Sequence, residues 1–344
     1  MFPIAFADQV IREYTKPGDW VLDPFAGRGT ALFSAATQGR FGLGFEINPV
    51  GWVYGKAKLQ TADREEVENL ICKLGENASH FRAEASALPE FYQLCFSRDV
   101  LKFLVAARNI LDWRRKKADR TAMALILIDL HGKRENSLSN QMRQTKAMSP
   151  HYAIRWWKER ELIPPERNPV EFMLKKIAWR YAKGRLEIEK SRFYLGDNRF
   201  QLNRLSNSFL MTDCNVKLLL TSPPYYNITN YFYDQWLRLW LLGGSPMPKS
   251  SGVQCKNKFQ NKNQYRKMLH SVLIKSKRFL SIDAVIYVRT DARNFTLETT
   301  LQTLEEVFQN KKIRNTIHTS PIFSQTLLFQ SGFDTKGEVD IVMW

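Results

Sequence analysis

Near the middle of the chain the run Val216-Lys217-Leu218-Leu219-Leu220, apolar but for one lysine, ends in Thr221-Ser222-Pro223-Pro224-Tyr225. Two consecutive prolines fix the backbone and withdraw two N–H donors, so the run cannot continue past Ser222 as a helix or an inner strand. A short, mainly apolar run closed in this way reads as a buried strand of a parallel sheet. The strand then delivers the tetrapeptide at its C-terminal end, with carbonyls and one aromatic ring facing outward. Such a surface suits a flat ring bearing an exocyclic amine. The Ser222 hydroxyl and the Pro223 carbonyl can accept from the NH2 group while Tyr225 stacks on the ring face.

A second site begins near the N-terminus. Asp19-Trp20-Val21-Leu22-Asp23 reads as a buried strand, Pro24-Phe25-Ala26-Gly27-Arg28-Gly29-Thr30 as a glycine turn, and Ala31 to Ala36 as a helix. Gly27 and Gly29 permit positive φ and close approach of a ligand, and the helix offers free N–H groups. Phe41-Gly42-Leu43-Gly44-Phe45-Glu46 follows as a second strand. It ends in an acid roughly 20 residues after the turn, the spacing at which a carboxylate accepts from ribose hydroxyls. Either element alone also describes a turn without a ligand; the succession describes a nucleoside site.

These motifs together resemble the amino-methylating DNA methyltransferases of the Ser-Pro-Pro-Tyr type, which modify adenine N6 or cytosine N4. Thr15 to Thr30 resembles the family's cofactor motif with its lead-in, and Phe45-Glu46-Ile47-Asn48-Pro49 its acidic second strand. Leu195-Gly196-Asp197-Asn198 resembles the segment whose acid meets the adenine amino group. The resemblance implies S-adenosylmethionine as cofactor, held by Asp23, Phe25, Gly27, Gly29, Thr30, Glu46, Ile47 and Asp197. It implies Ser222, Pro223, Pro224 and Tyr225 as the catalytic motif, and Ser in first place favours cytosine N4 over adenine N6. It also implies double-stranded DNA as partner, a separately acting restriction endonuclease as a further one, and a prokaryotic cytoplasmic, DNA-associated setting. Two other readings fit the same residues: an RNA guanine-N2 methyltransferase, and a catalytically silent nucleic-acid-binding protein.

Charge agrees with a polyanionic partner. Lys and Arg number 51 against 34 Asp and Glu, a net +17. The excess is uneven: residues 1–100 hold 10 basic and 13 acidic side chains, residues 113–192 hold 20 and 9. Ser137 to Lys146 concentrates side chains able to bond bases or phosphates, with Asn140, Gln141, Arg143 and Lys146 as candidate contacts. Tryptophans 156, 157 and 179 are assigned to packing instead. From Lys249 to Arg278 there are nine cations and no acid. Lys256, Lys258 and Lys262 in this stretch are candidate phosphate contacts.

The expected fold is α/β: a Rossmann-like doubly wound, seven-stranded methyltransferase sheet with a largely helical insertion. Strands are expected near 19–23, 41–46, 192–196, 216–221 and 283–289, with a terminal antiparallel pair at Thr326–Phe329 and Val339–Trp344. Residues 1–75 are expected to form the first part of the catalytic domain and 76–190 a basic insertion for target recognition. Residues 191–344 would complete the catalytic domain, with a basic loop at 244–270. Val100–Trp113 has helical spacing, whereas Thr121–Leu130 fits a buried helix or a strand. No apolar run reaches the length of a membrane span, no secretory leader is expected, and the four isolated cysteines suggest neither a metal site nor a disulfide framework.

Overall fold

The apolar runs form the middle of a seven-stranded sheet in the computed structural model, which describes residues 2–185, 188, 190–209, 216–227, 231–248, 261–318 and 337–344. The strands are β1 (Trp20–Asp23), β2 (Phe41–Glu46), β3 (Arg192–Leu195), β4 (Val216–Thr221), β5 (Leu280–Asp291), β6 (Ile313–His318) and β7 (Glu338–Met343). Their spatial order is β3-β2-β1-β4-β5-β7-β6. The first five run parallel, and β7 lies antiparallel between β5 and β6. This is the doubly wound, seven-stranded arrangement expected. Val21, Leu22, Leu218, Leu219 and Leu220 are fully buried, as strands covered on both faces must be. The chain lays down β1, β2 and β3 in one direction and returns on the other side of β1 with β4. Sheets of this kind open a ligand crevice beyond the strand C-termini at that reversal.

The outer strand differs from expectation. Thr326–Phe329 lies outside the described residues, and the partner of β7 is Ile313–His318. Arg314, Asn315 and Thr316 there are polar and exposed, as edge strands commonly are, which removes the apolar alternation that would mark a strand.

The chain divides into two compact units: Met1–Leu59, Ile188–Thr229 and Lys256–Trp344 in the first, and Gln60–Glu187 with Asn230–Cys255 in the second. The first holds the sheet with helices α1 (Ile4–Tyr14), α2 (Thr30–Thr37) and α3 (Pro49–Leu59). The second is helical, and among its described residues only an isolated bridge between Gly132 and Gln141 has strand geometry. Thr121–Asp129 belongs to the helix Lys117–Asp129, which Leu130 caps. The division departs from the expected boundary at 75/76. The helix Arg64–Asn77 carries an apolar stripe of Val67, Ile71 and Leu74 that packs on the helices Arg98–Ile110, Lys117–Asp129 and Pro169–Tyr181. The segment after the Ser-Pro-Pro-Tyr motif also joins this unit. Trp240 packs on Tyr92 with ring centroids 4.6 Å apart, and Trp236 on Phe91 at 4.9 Å.

Helix α2 sits on β2 because β2 has no side chain where the two meet. A Cβ on Gly42 would lie 2.8 Å from both Cα and Cβ of the buried Leu32, and one on Gly44 would lie 2.7 Å from Leu32 Cδ1. Gly42→Ala should therefore lower stability by about 1–3 kcal/mol, since the clash is with helix backbone as well as side chain. Urea titration should show an earlier midpoint with an unchanged slope.

Candidate active site

Five strand ends and the start of β7 meet along one edge of the sheet. β1 ends at Asp23, β2 at Glu46, β3 at Leu195, β4 at Thr221 and β5 at Asp291, which is opposite Glu338. Asp23 is buried and accepts from the Phe25 amide at 3.1 Å and from the Thr221 hydroxyl at 2.6 Å. Burial pushes its carboxyl up to about 7, against the pull of those two donors. Gly27 and Gly29 both have positive φ, at 55° and 71°. The turn is pinned by Ala26 N–H donating to Phe45 O at 3.0 Å and by Gly29 N–H donating to Ala26 O at 2.7 Å. It then opens α2, whose first residue, Thr30, is buried.

Glu46 stands at the rim of the same turn. Its Oε1 accepts from the Asn48 amide at 2.6 Å, and the amides of Gly27 and Ile47 also donate to the carboxylate. Loss of surrounding water nevertheless raises its pKa to about 7, helped by the nearby Asp23 charge. Gly51 lets α3 approach: a Cβ there would meet Gly27 O at 2.8 Å and Glu46 Cγ at 3.2 Å. Phe25 is half-buried beside the turn, and Ile47 is 51% exposed. Past β3, Gly196 N–H donates to Glu46 O at 2.8 Å and the Asn198 amide to Pro24 O at 2.8 Å. The Asp197 carboxylate is engaged by Arg199, through Nε at 3.0 Å and Nη2 at 2.5 Å. A ligand amine at Asp197 would therefore compete with a guanidinium.

The Ser222–Tyr225 motif follows β4 directly. Ser222 is half-buried, Pro223 is buried, and the Tyr225 hydroxyl donates to Glu338 Oε1 at 3.0 Å. Burial and the Glu338 charge push the Tyr225 phenol far above its ordinary range. Tyr226 packs edge-on against Phe295 at 4.6 Å, and its carbonyl accepts from Arg293 at 2.6 Å, which holds the exit of the motif. The edge thus brings together Asp23, Phe25, Gly27, Gly29, Thr30, Glu46, Ile47, Asp197 and Ser222 to Tyr225. The sequence assigned no role to Thr221, Asn198, Gly51 or Glu338. Thr221 was visible as the polar residue closing an apolar strand, whereas Glu338 carried no local signal.

The candidate nucleic-acid contacts are more scattered. Asn140 is buried, and its amide donates to Leu94 O at 3.1 Å and Leu162 O at 2.8 Å. Its donors are spent inside the fold, so it is a structural residue and not a base reader. Gln141 is half-buried, with Oε1 accepting from the Arg134 amide at 2.9 Å. Lys146 pairs with Asp234 at 2.6 Å, while Arg143 and Lys262 are exposed. Lys256 and Lys258 lie outside the described residues. As expected, Trp157 is packed away, but Trp179 is 75% exposed. Among the described residues no cluster of His, Cys, Asp or Glu could hold a metal ion, and no helix is long and apolar enough to cross a membrane.

Residues 1–50 match the DNA methylase family of N6 and N4 methyltransferases. A stretch of 47 residues is 45% identical to the Type II methyltransferase M.MthZI of Methanothermobacter thermautotrophicus, spanning 14% of this chain and 13% of that protein. Among solved structures, the rRNA methyltransferase aviRa from Streptomyces viridochromogenes aligns at 12% identity with a TM-score of 0.33, covering 99% of this chain and 84% of that one.

Asp23 has a folded-state pKa above its unfolded value, so the folded state holds the proton more tightly. The stability this gives is present at low pH and is lost as pH rises from about 4 to about 7. Thermal melts at pH 5 and pH 8 should show a fall for the wild type that Asp23→Asn reduces. Thr221→Val should lower stability at both pH values by about 1–3 kcal/mol, through the lost bond to a buried carboxyl.

Proposed function

We propose that the protein, whose first 50 residues match the N6/N4 DNA methylases, transfers a methyl group from S-adenosylmethionine to the exocyclic amine of a base in duplex DNA, with cytosine N4 as acceptor. The observation that carries this reading is the bond from Thr221 to Asp23, which ties the glycine turn and the Ser-Pro-Pro-Tyr motif to adjacent strand ends. Nucleoside-binding and amine-accepting groups thereby share one crevice. The first-position Ser222, in a family where Asp or Asn more often opens the motif of adenine enzymes, supports the choice of cytosine.

The residues of the turn fit the cofactor. Glu46 presents a carboxylate at a strand end for ribose hydroxyls, and Gly27 and Gly29 leave the backbone open to close approach. S-adenosylmethionine supplies a methyl group activated on a sulfonium. For its part, the chain orients the acceptor. Ser222 and the Pro223 carbonyl would take the two amine hydrogens, which draws the nitrogen toward tetrahedral geometry and withdraws its lone pair from conjugation with the ring. Tyr225 would stack on a base extruded from the duplex at a cost of a few kcal/mol. The proton would leave to solvent, because an alkylated amine is strongly acidic. Arg143, Lys146 and Lys262 are the cations proposed to meet DNA.

Sequencing DNA from cells that make the protein, with a method that separates N4-methylcytosine from N6-methyladenine, tests the reading. N4-methylcytosine at one recurrent sequence supports it. N6-methyladenine keeps the reaction and changes the acceptor, and methylated guanine in RNA with unmodified duplex moves the enzyme to RNA. No methylation, together with no cofactor retained in equilibrium dialysis, leaves a silent binding protein.

Two outcomes are expected at the residues themselves. Glu46→Ala should weaken cofactor binding by about 1.5–3 kcal/mol with the fold intact, because a charge-assisted bond is lost. In the wild type, ribose hydroxyls prefer the ionised carboxylate, so affinity should rise with pH through about 7 and binding should release a proton. Calorimetry in buffers of different ionisation enthalpy reads both. Ser222→Ala should reduce turnover far more than cofactor affinity.

A further inference from the structure

Ser222, Tyr225, Glu338 and Arg289 form a line of polar groups at the sheet edge, and its direction is set from the far end. Glu338 opens β7, opposite Asp291 of β5. One carboxylate oxygen accepts from the Tyr225 hydroxyl at 3.0 Å, and the other lies 3.6 Å from Nη1 of Arg289. Arg289 is buried and fixed: Nε and Nη2 donate to Asp340 at 2.6 and 2.7 Å, and its guanidinium lies 3.5 Å from the Phe6 ring centroid. Asp340 is also held by the Tyr287 hydroxyl at 2.9 Å. Glu338 is therefore seated by a cation that does not move with Tyr225.

A carboxylate has no hydrogen to give, so the Tyr225 hydroxyl facing it must donate. The phenol oxygen is left to accept, and the group that gives to it is the Ser222 hydroxyl, 3.5 Å away. With its hydrogen turned toward Tyr225, Ser222 keeps its lone pairs for another donor. We propose that Glu338 is a positioning residue that acts through Tyr225: it holds the ring in place and sets the direction of the hydrogen bonds, and so makes Ser222 an acceptor. This rests on the preceding reading, in which Ser222 receives a hydrogen of the target amine. Nothing in the Ser-Pro-Pro-Tyr motif itself decides whether its hydroxyl gives or receives.

The direct test is Glu338→Gln. Arg289 offers only donors, so the amide oxygen turns toward it and the NH2 group faces Tyr225. The line then reverses: Tyr225 accepts from Gln, donates to Ser222, and leaves the serine hydrogen pointing at the incoming amine. The ring keeps its anchor. We expect kcat to fall about tenfold, with KM for duplex and cofactor affinity within about twofold of wild type. Glu338→Ala loses direction and anchor together, so KM for duplex should rise as well. A 3-fluorotyrosine at position 225, observed by fluorine NMR without DNA, reports the same two effects independently of activity. Wild type and Glu338→Gln should both give a narrow line, at different shifts, and Glu338→Ala a line broadened toward free tyrosine. Wild-type kcat in Glu338→Gln, or a fluorine shift unchanged by it, overturns the proposal. Should Glu338→Ala not fold, Glu338→Gln alone decides. A wild type that methylates no duplex overturns the reading of function, and the fluorine comparison still settles what Glu338 does to Tyr225.

Discussion

The hydrogen bond from Thr221 to Asp23 joins the ends of two strands that the chain makes almost 200 residues apart. Both residues are buried, and each needs the other: an unpaired hydroxyl or carboxyl at that depth costs more than the bond itself contributes. The pairing of β1 with β4 brings them together, and they fix its register at the strand ends. Everything near the crevice hangs from this point. On one side, Asp23 takes the Phe25 amide and starts the glycine turn. On the other, Ser222 follows Thr221 immediately, so its position is set to within one residue of a locked strand.

What could be foreseen from the chain was local and consecutive. β1, β2 and β4 are short apolar runs with a proline or a glycine at the exit, so their existence, their ends and their parallel pairing follow from a few adjacent residues. The carboxylate of Glu46 falls at a strand end that Phe41 to Phe45 announces. The acceptor of the Tyr225 hydroxyl is a different matter. Glu338 is remote in sequence and is brought to Tyr225 only by the pairing of β7 with β5, a contact that no spacing rule encodes. The edge strand β6 failed for another reason: its outward residues are polar, and a strand that needs no second apolar face leaves no period to detect.

The helical unit shows how a polar sequence misleads. Ser137 to Lys146 looks like a surface loop rich in base-reading side chains, yet Asn140 is fully buried and cross-links three stretches of backbone. Loops packed inside a domain have few regular backbone partners, so amide side chains supply the missing donors and acceptors. Composition cannot separate that duty from recognition, because both use the same hydrogen-bonding groups. Burial separates them: Arg143, three residues on, is exposed and keeps its guanidinium on the surface.

The placement of β7 between β5 and β6 has a consequence for the order in which the protein comes together on the ribosome. Ile313–His318 leaves the exit tunnel before the strand it pairs with, and it has no neighbour in the sheet until Glu338–Met343 arrives. The same late segment brings Asp340, the counter-charge of the buried Arg289. Until then a guanidinium on β5 lacks this counter-charge, and burying it without one would cost several kcal/mol. A β5 that closes on another edge before then does so with that cost uncompensated. The nascent chain can assemble the glycine turn and β4 early, while the outer half of the sheet stays open and hydrated until one strand delivers both its backbone partners and its charge.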